Sequence, residues 1–178
     1  MKRSQLAHLI RAAAKITGQR NIIVVGSQAI LGSVSEERLP DAAWESVEAD
    51  FVLAVTPNAE AAEAALGQDS RFHRTYGIWA DVVSAETAKL PRGWRRRLVR
   101  FGNAETAPAS ALCLERHDLA ISKLVAHRGK DLAFVTALLD AGLLSLPTLT
   151  ARARFIDGAA DAEVDRVRAW IEARRRAS

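Results

Sequence analysis

The chain is poor in most of the residue types that announce a function at once. Its 178 residues include one cysteine (Cys113), one methionine and one tyrosine, and only 6% are aromatic. A single cysteine excludes an intramolecular disulfide and a cysteine-based zinc site, and it suits a reducing compartment. No apolar run approaches the roughly 18 residues that a membrane span needs. The opening stretch MKRSQLAHLIRAAAKITG returns to His8, Arg11 and Lys15 before any long apolar segment builds up, which argues against a signal peptide. The expectation is a cytoplasmic protein. With 49% hydrophobic and 26% charged residues, the chain is neither disordered nor collagen-like. It is long enough to bury one core without metal or disulfide support.

Lysine is scarce as well: 20 of the 25 basic residues are arginine, and the net charge is +4. The two halves differ in sign. Residues 1–90 carry 9 basic and 11 acidic side chains, whereas residues 91–178 carry 16 and 10. An acidic half beside a basic half suits a site that holds a metal on one side and a polyanion on the other. Arginine on solvated faces explains the same numbers.

Apolar residues at helical spacing predict a helix over 4–17, closed by Gly18. The branched run NIIVV (21–25) predicts a buried strand that ends at Gly26, with Ser27 near the N-cap of a short helix. Polar residues around Pro40 predict a loop over 34–45, in which Trp44 either gates a site or packs on the core. EADFVLAVT (48–56) predicts a second strand, and residues 58–66 a helix. One or two strands are expected within 73–84, centred on IWADVV, and another over 95–101 after a turn at PRGW. Residues 109–143 look helical with a break at Gly129. Short and terminal helices follow over 147–156 and 161–175. The pattern is a small α/β unit followed by helices, with a seam near 103–108.

Three features of this pattern can carry chemistry. A glycine at a strand end lets the backbone approach a ligand closely, and the amides and hydroxyl after it can hold phosphate oxygens; Gly26-Ser27 stand at that position. Glu48 and Asp50 alternate along a strand, so both carboxylates share one face and repel unless a cation lies between them. Hard oxygen ligands of this kind suit Mg²⁺. Asp81 sits among Trp79, Ala80, Val82 and Val83, and an aspartate in an apolar strand needs a partner or a metal. Each feature also has a plain structural reading: a common strand-to-helix turn, a solvated edge face, and a strand-end turn residue.

In order, Val25-Gly26-Ser27, Glu48-Ala49-Asp50-Phe51 and the distant Asp81 resemble the polymerase-beta-like nucleotidyltransferase superfamily, with its hG[GS], [DE]h[DE]h and third acid. Residues 114–132, LERHDLAISKLVAHRGKDL, resemble the corresponding stretch of AbiEii-type nucleotidyltransferases, toxins of bacterial type IV toxin–antitoxin systems and their relatives. The resemblance covers most of residues 20–140. It implies an α/β (α+β) fold, a small mixed sheet flanked by helices (1–105) with a helical C-terminal lobe (106–178) packed on it. It also implies Mg²⁺ held by Glu48, Asp50 and Asp81, a nucleoside triphosphate at Gly26 and Ser27, Lys123 facing that triphosphate, and a required Asp131. The partners implied are an RNA, tRNA or protein acceptor and a cognate antitoxin.

Glu48 stands where that family more often has aspartate, Ser46 where it has threonine, and no arginine precedes them closely. The residues alone leave Lys123 open between an anion contact and snorkelling over Leu119 and Leu124. They leave Asp131 open between the site and a helix cap, while Asp118 reads as a helix-start residue and His117 and His127 as structural or solvated. Arg95, Arg96, Arg97 and Arg100, interleaved with Trp94 and Phe101, suit RNA phosphates and stacking or a solvated strand face. Arg174-Arg175-Arg176 suit a solvated helix end. The function expected is nucleotide transfer to a hydroxyl of RNA or protein. The alternatives are a catalytically weak binding partner of the same fold and a small-molecule, antibiotic-type transferase.

Overall fold

A computed structural model describes residues 1–44, 46–53 and 58–177. Helix α1 (Arg3–Thr17) buries Leu6, Leu9, Ile10 and Ala13 on one stripe and ends at Gly18, which takes the left-handed conformation and donates its N–H to Ala14. Strand β1 (Asn21–Val25) follows and pairs antiparallel with β2 (Glu48–Val52). Between them the expected short helix is a 3-10 helix over Ser27–Gly32, capped by Gly26 rather than by Ser27, and two further 3-10 turns follow. Trp44 is partly buried against the core. The end of the strand expected to reach residue 56 lies partly outside the described residues.

Helices α2 (Ala59–Leu66) and α3 (Arg71–Tyr76) cross over to β3 (Trp79–Val82), which runs parallel to β2. The segment 73–84 is therefore the end of a helix and one strand. Strand β4 (Leu90–Pro91) comes next, then a 3-10 turn over Trp94–Arg97, and then β5 (Val99–Phe101). The strand expected over 95–101 is thus confined to its last three residues, and Arg95–Arg97 lie in the turn. Strand β6 (Ser110–Cys113) inserts between β1 and β5, giving a five-stranded sheet of order β3-β2-β1-β6-β5. Residues 109–143 are accordingly a central strand followed by two helices, and the sheet continues past the seam expected at 103–108. The fold is the α+β arrangement anticipated, a mixed sheet with helices around it.

Register sorts the sheet into two faces. Val24 sits opposite Phe51 and Cys113, and Ala49 opposite Ala80, all of them buried. The alternate positions put Val25 opposite Asp50, and Asp50 opposite Asp81. Helices α1 and α2 pack on one another and on β1 and β3. Cys113 is fully buried, a Cβ on Gly32 would lie 2.5 Å from its own Cβ, and burial pushes its thiol up to about 12.

Helix α4 (Arg116–Ala126) is enclosed on all sides by α5 (Gly129–Asp140), α6 (Leu146–Arg152), α7 (Asp161–Ala177) and β4. A short strand β7 (Ile156–Asp157) pairs with β4 and ties this helical part to the sheet unit. Enclosure on all sides calls for partners to every polar group on α4. Asp118 is wholly buried, accepts from Arg97 Nε at 2.8 Å and Nη2 at 3.0 Å, and accepts from Arg152 Nη1 at 2.6 Å. Burial pushes its carboxyl up to about 6 against the pull of Arg97, so it is ionised at neutral pH. His117 meets Glu115 at 2.7 Å and accepts the Ser145 N–H at 3.0 Å. Asp118, in the first turn of α4 as the sequence suggested, is also a clamp joining the Trp94–Arg97 turn, α4 and α6.

Removing one member of a buried charged group is costly because the others lose their partner. Asp118→Asn is expected to lower unfolding free energy by about 3 kcal/mol in chemical denaturation. Arg100→Gln, on an exposed side chain, should stay within about 0.5 kcal/mol of wild type.

Candidate active site

At the end of β1 the backbone of Gly26 takes φ 65° and ψ −168°, a region that essentially only glycine occupies. Its surroundings demand glycine too. A Cβ at Gly26 would lie 1.8 Å from Asp50 Oδ2 and 2.8 Å from Asp50 Cγ. The Asp50 carboxylate thus rests directly against the Gly26 backbone, with Ser27 next in the chain.

The period of β2 puts Glu48 on the same face as Asp50, and the parallel register with β3 sets Asp81 beside Asp50 and Trp79 beside Glu48. Glu48 is within hydrogen-bonding reach of both aspartates. Burial, then the charges of Asp50 and Asp81, raise the Glu48 pKa above its ordinary value. Burial, then Asp81, raises that of Asp50, while Lys123 and Arg128 pull it down. Three acids on one face, two of them held above their ordinary range, form a site short of positive charge.

A cleft of about 500 Å³ opens on this face. Gly26, Ser27, Glu48 and Asp50 line one wall, and Lys123, Asp131 and Phe134 line the other together with Arg128 and Lys130. Asp81 stands behind that lining, next to Asp50 on the edge strand. Lys123 neither snorkels nor points freely into the cleft. It is 9% exposed, its ammonium is 3.0 Å from Asp131 Oδ1, and it lies 4.9 Å from the centre of the Phe134 ring. Asp131 is wholly buried and also accepts from Arg128 Nε at 2.6 Å. Burial alone would raise its pKa, but hydrogen bonds from Arg128 and Lys123 outweigh it and hold the carboxyl low. The pairing, together with the charges of Asp50 and Glu48, raises the pKa of Arg128. Asp131 therefore anchors two cations in the wall of the cleft, near enough for their charges to lower the Asp50 pKa.

Gly26, Ser27, Glu48, Asp50, Lys123 and Asp131, far apart in sequence, thus meet at one cleft, with Asp81 adjoining. Of the arginine group, Arg95, Arg96 and Arg100 are exposed, and Arg97 is drawn inward. Arg97 is bound to Asp118, Arg95 lies over the Trp94 ring at 4.5 Å, and Arg100 is on β5 at the opposite edge of the sheet from β3. Arg128, Lys130 and Trp79 were missed as site residues. Arg128 stands three residues and Lys130 one residue before Asp131, and Trp79 shares the strand face of Asp81 two residues away. The Trp79 indole N–H is buried without a partner among the described residues.

No three His, Cys, Asp or Glu among the described residues converge into a ready metal cage. Mg²⁺ does not require one, because it usually binds through one or two carboxylates and completes its octahedron with phosphate oxygens and water. The donor set here, hard oxygens under mutual repulsion beside a backbone with no Cβ, fits that mode.

The protein is of the nucleotidyltransferase class. Over residues 4–177 the chain matches the family described as Nucleotidyltransferase of unknown function (DUF6036), and it belongs to that family. No curated protein and no solved structure shows a significant match. Among the described residues, no helix is long and apolar enough to cross a membrane.

A carboxylate whose pKa is raised on folding contributes stability below its unfolded pKa and loses it as pH rises through the folded value. In metal-free buffer, Asp50→Asn is therefore expected to melt above wild type at neutral pH. The gap should close as pH falls toward about 4, where the unfolded carboxyl titrates. A gap that is constant with pH would show that charge repulsion does not strain this site.

Proposed function

We propose that the protein is a Mg²⁺-dependent nucleotidyltransferase that moves a nucleoside monophosphate from a nucleoside triphosphate to a hydroxyl of RNA, such as tRNA, or of protein. The reading extends to a toxin–antitoxin or phage-defence setting with a cognate antitoxin, in keeping with the AbiEii-type resemblance. The observation that carries it is the Gly26 backbone, stripped of room for a Cβ by the Asp50 carboxylate, facing a wall of Lys123, Arg128 and Lys130. A triphosphate is the kind of ligand that needs both sides: cations for its oxygens, and carboxylates to hold its metal.

In this reading Glu48 and Asp50 hold the divalent ion together with phosphate oxygens and water, and Asp81, beside Asp50, adds the third negative charge of the site. When bound, Mg²⁺ supplies charge neutralisation of the phosphates and acidifies the attacking hydroxyl. The Gly26-Ser27 turn receives phosphate oxygens at a distance that a side chain at position 26 would forbid. Lys123 and Arg128 balance the negative charge of the phosphates, and Asp131 keeps both of them pointed there. Phosphoryl transfer asks little more of a protein than this positioning and charge balance.

The test is incubation with each α-labelled nucleoside triphosphate, Mg²⁺, and either total RNA or total protein. Label should appear in one acceptor pool, require Mg²⁺ and vanish with Asp50→Asn. Each Mg²⁺–triphosphate that binds should also raise the melting temperature, as a ligand of the native state does. Lys123→Ala should weaken nucleotide binding by about 1.5–3 kcal/mol in a titration, the worth of a charge-assisted contact. Binding without transfer would favour the catalytically weak partner. A melting curve unmoved by all four nucleotides would end the reading.

A further inference from the structure

A second pocket lies apart from the cleft. It has a volume of about 590 Å³ and lies between the C-terminal half of α1, the turn into β1 and residues 106–109. Arg20, on its rim, immediately precedes β1, and Gly26 immediately follows it. At about 3.3 Å per strand residue the two sites are about 20 Å apart, at opposite ends of β1.

The pocket has a distinct chemical layout. Ala12, Ala14, Pro108 and Ala109 give it an apolar floor, while Arg11, Lys15 and Arg20 stand exposed around it, and no carboxylate lines it. Arg11 donates to the backbone carbonyl of Glu105, which fixes its guanidinium without cancelling its charge. His8, Arg11 and Lys15 follow one another at helical spacing, so they present one stripe of α1. Beside His8 an aromatic shelf begins. The rings of Phe72 and Tyr76 are 5.0 and 4.5 Å from the His8 ring, and Tyr76 is 49% exposed.

We propose that this pocket docks an acidic amphipathic helix of a protein partner, with its aliphatic side chains on the alanine–proline floor and its carboxylates toward Arg11, Lys15 and Arg20. Charge complementarity selects an anionic partner, and the apolar floor selects one with aliphatic side chains. Single-stranded nucleic acid needs open ring faces on which to stack, whereas the rings here are packed on one another. Exposed tyrosine and arginine around an apolar centre are the composition of a protein–protein contact. A partner seated here stays clear of the cleft, so the proposal is independent of the chemistry at Glu48 and Asp50.

The test uses the full chain and a fluorescein-labelled helical peptide with leucine along one face and glutamate along the other. The controls are the same peptide with serine for every leucine and a single-stranded RNA oligomer. Saturable binding by anisotropy is expected for the leucine–glutamate peptide. Backbone amide shifts of ¹⁵N-labelled protein should map it to α1 and residues 106–109. Arg11→Glu, Lys15→Glu and Arg20→Glu together should weaken binding about tenfold or more, in a variant that still unfolds cooperatively on heating. The triple variant should instead gain binding to a leucine–lysine peptide. The proposal is overturned by absence of saturable binding, by shifts that map to the cleft, or by equal affinity of the triple variant. It is likewise overturned if the serine peptide binds equally well, or if RNA binds this face more tightly than the leucine–glutamate peptide.

Discussion

The contact between the Asp50 carboxylate and the bare backbone of Gly26 governs the arrangement of the rest. It exists because β1 and β2 pair in a register that sets Val25 opposite Asp50, bringing the strand end and the carboxylate together. A shift of one residue in that register would turn Asp50 toward the buried face and Phe51 toward solvent. The same register, carried one strand further, places Asp81. Hydrophobic burial of Val24, Phe51 and Ala80 on the other face thus holds the carboxylates in place, and the site inherits its precision from the core.

The helical part answers this acidic face with two buried aspartates that face opposite tasks. Asp118 gathers Arg97 and Arg152 into a structural clamp. Asp131 gathers Lys123 and Arg128 and presents them to the cleft. Both pairings involve α4, whose residues Asp118 and Lys123 are five positions apart. One enclosed helix therefore locks the C-terminal elements together at its start and delivers positive charge near its end. The surplus of arginine in the second half of the chain is partly consumed by these inward contacts, which is why it does not all appear as an exposed basic surface.

What could be read from sequence was local. The period of a strand puts Glu48 and Asp50 on one face, and a strand ending in Gly-Ser marks a close approach. Asp81 could be nominated as an acid in an apolar strand, but its place beside Asp50 depends on strand pairing across two intervening helices. Lys123 and Asp131 were legible only through resemblance, and their pairing, with the burial it brings, is a tertiary fact. Asp118 does stand in the first turn of its helix, but its clamp could not be read because its partners lie 21 residues before it and 34 after it. The apolar run after Pro108 is short enough to suit a helix or a strand, and only β1 and β5 on either side decide for a strand. Six residues of α3 were too few to show a helical period.

Cys113 has one more consequence. Its thiol, enclosed in β6 with a pKa of about 12, carries almost no thiolate at neutral pH and offers no path to a reagent. The folded chain therefore presents no accessible thiol to an alkylating reagent. A cysteine introduced at the rim of the cleft or on the outer stripe of α1 would be the one reactive thiol in the molecule. Fluorophores, spin labels and crosslinkers can then be placed at either end of β1 in the natural sequence background, and slow modification of Cys113 itself becomes a clock for opening of the core.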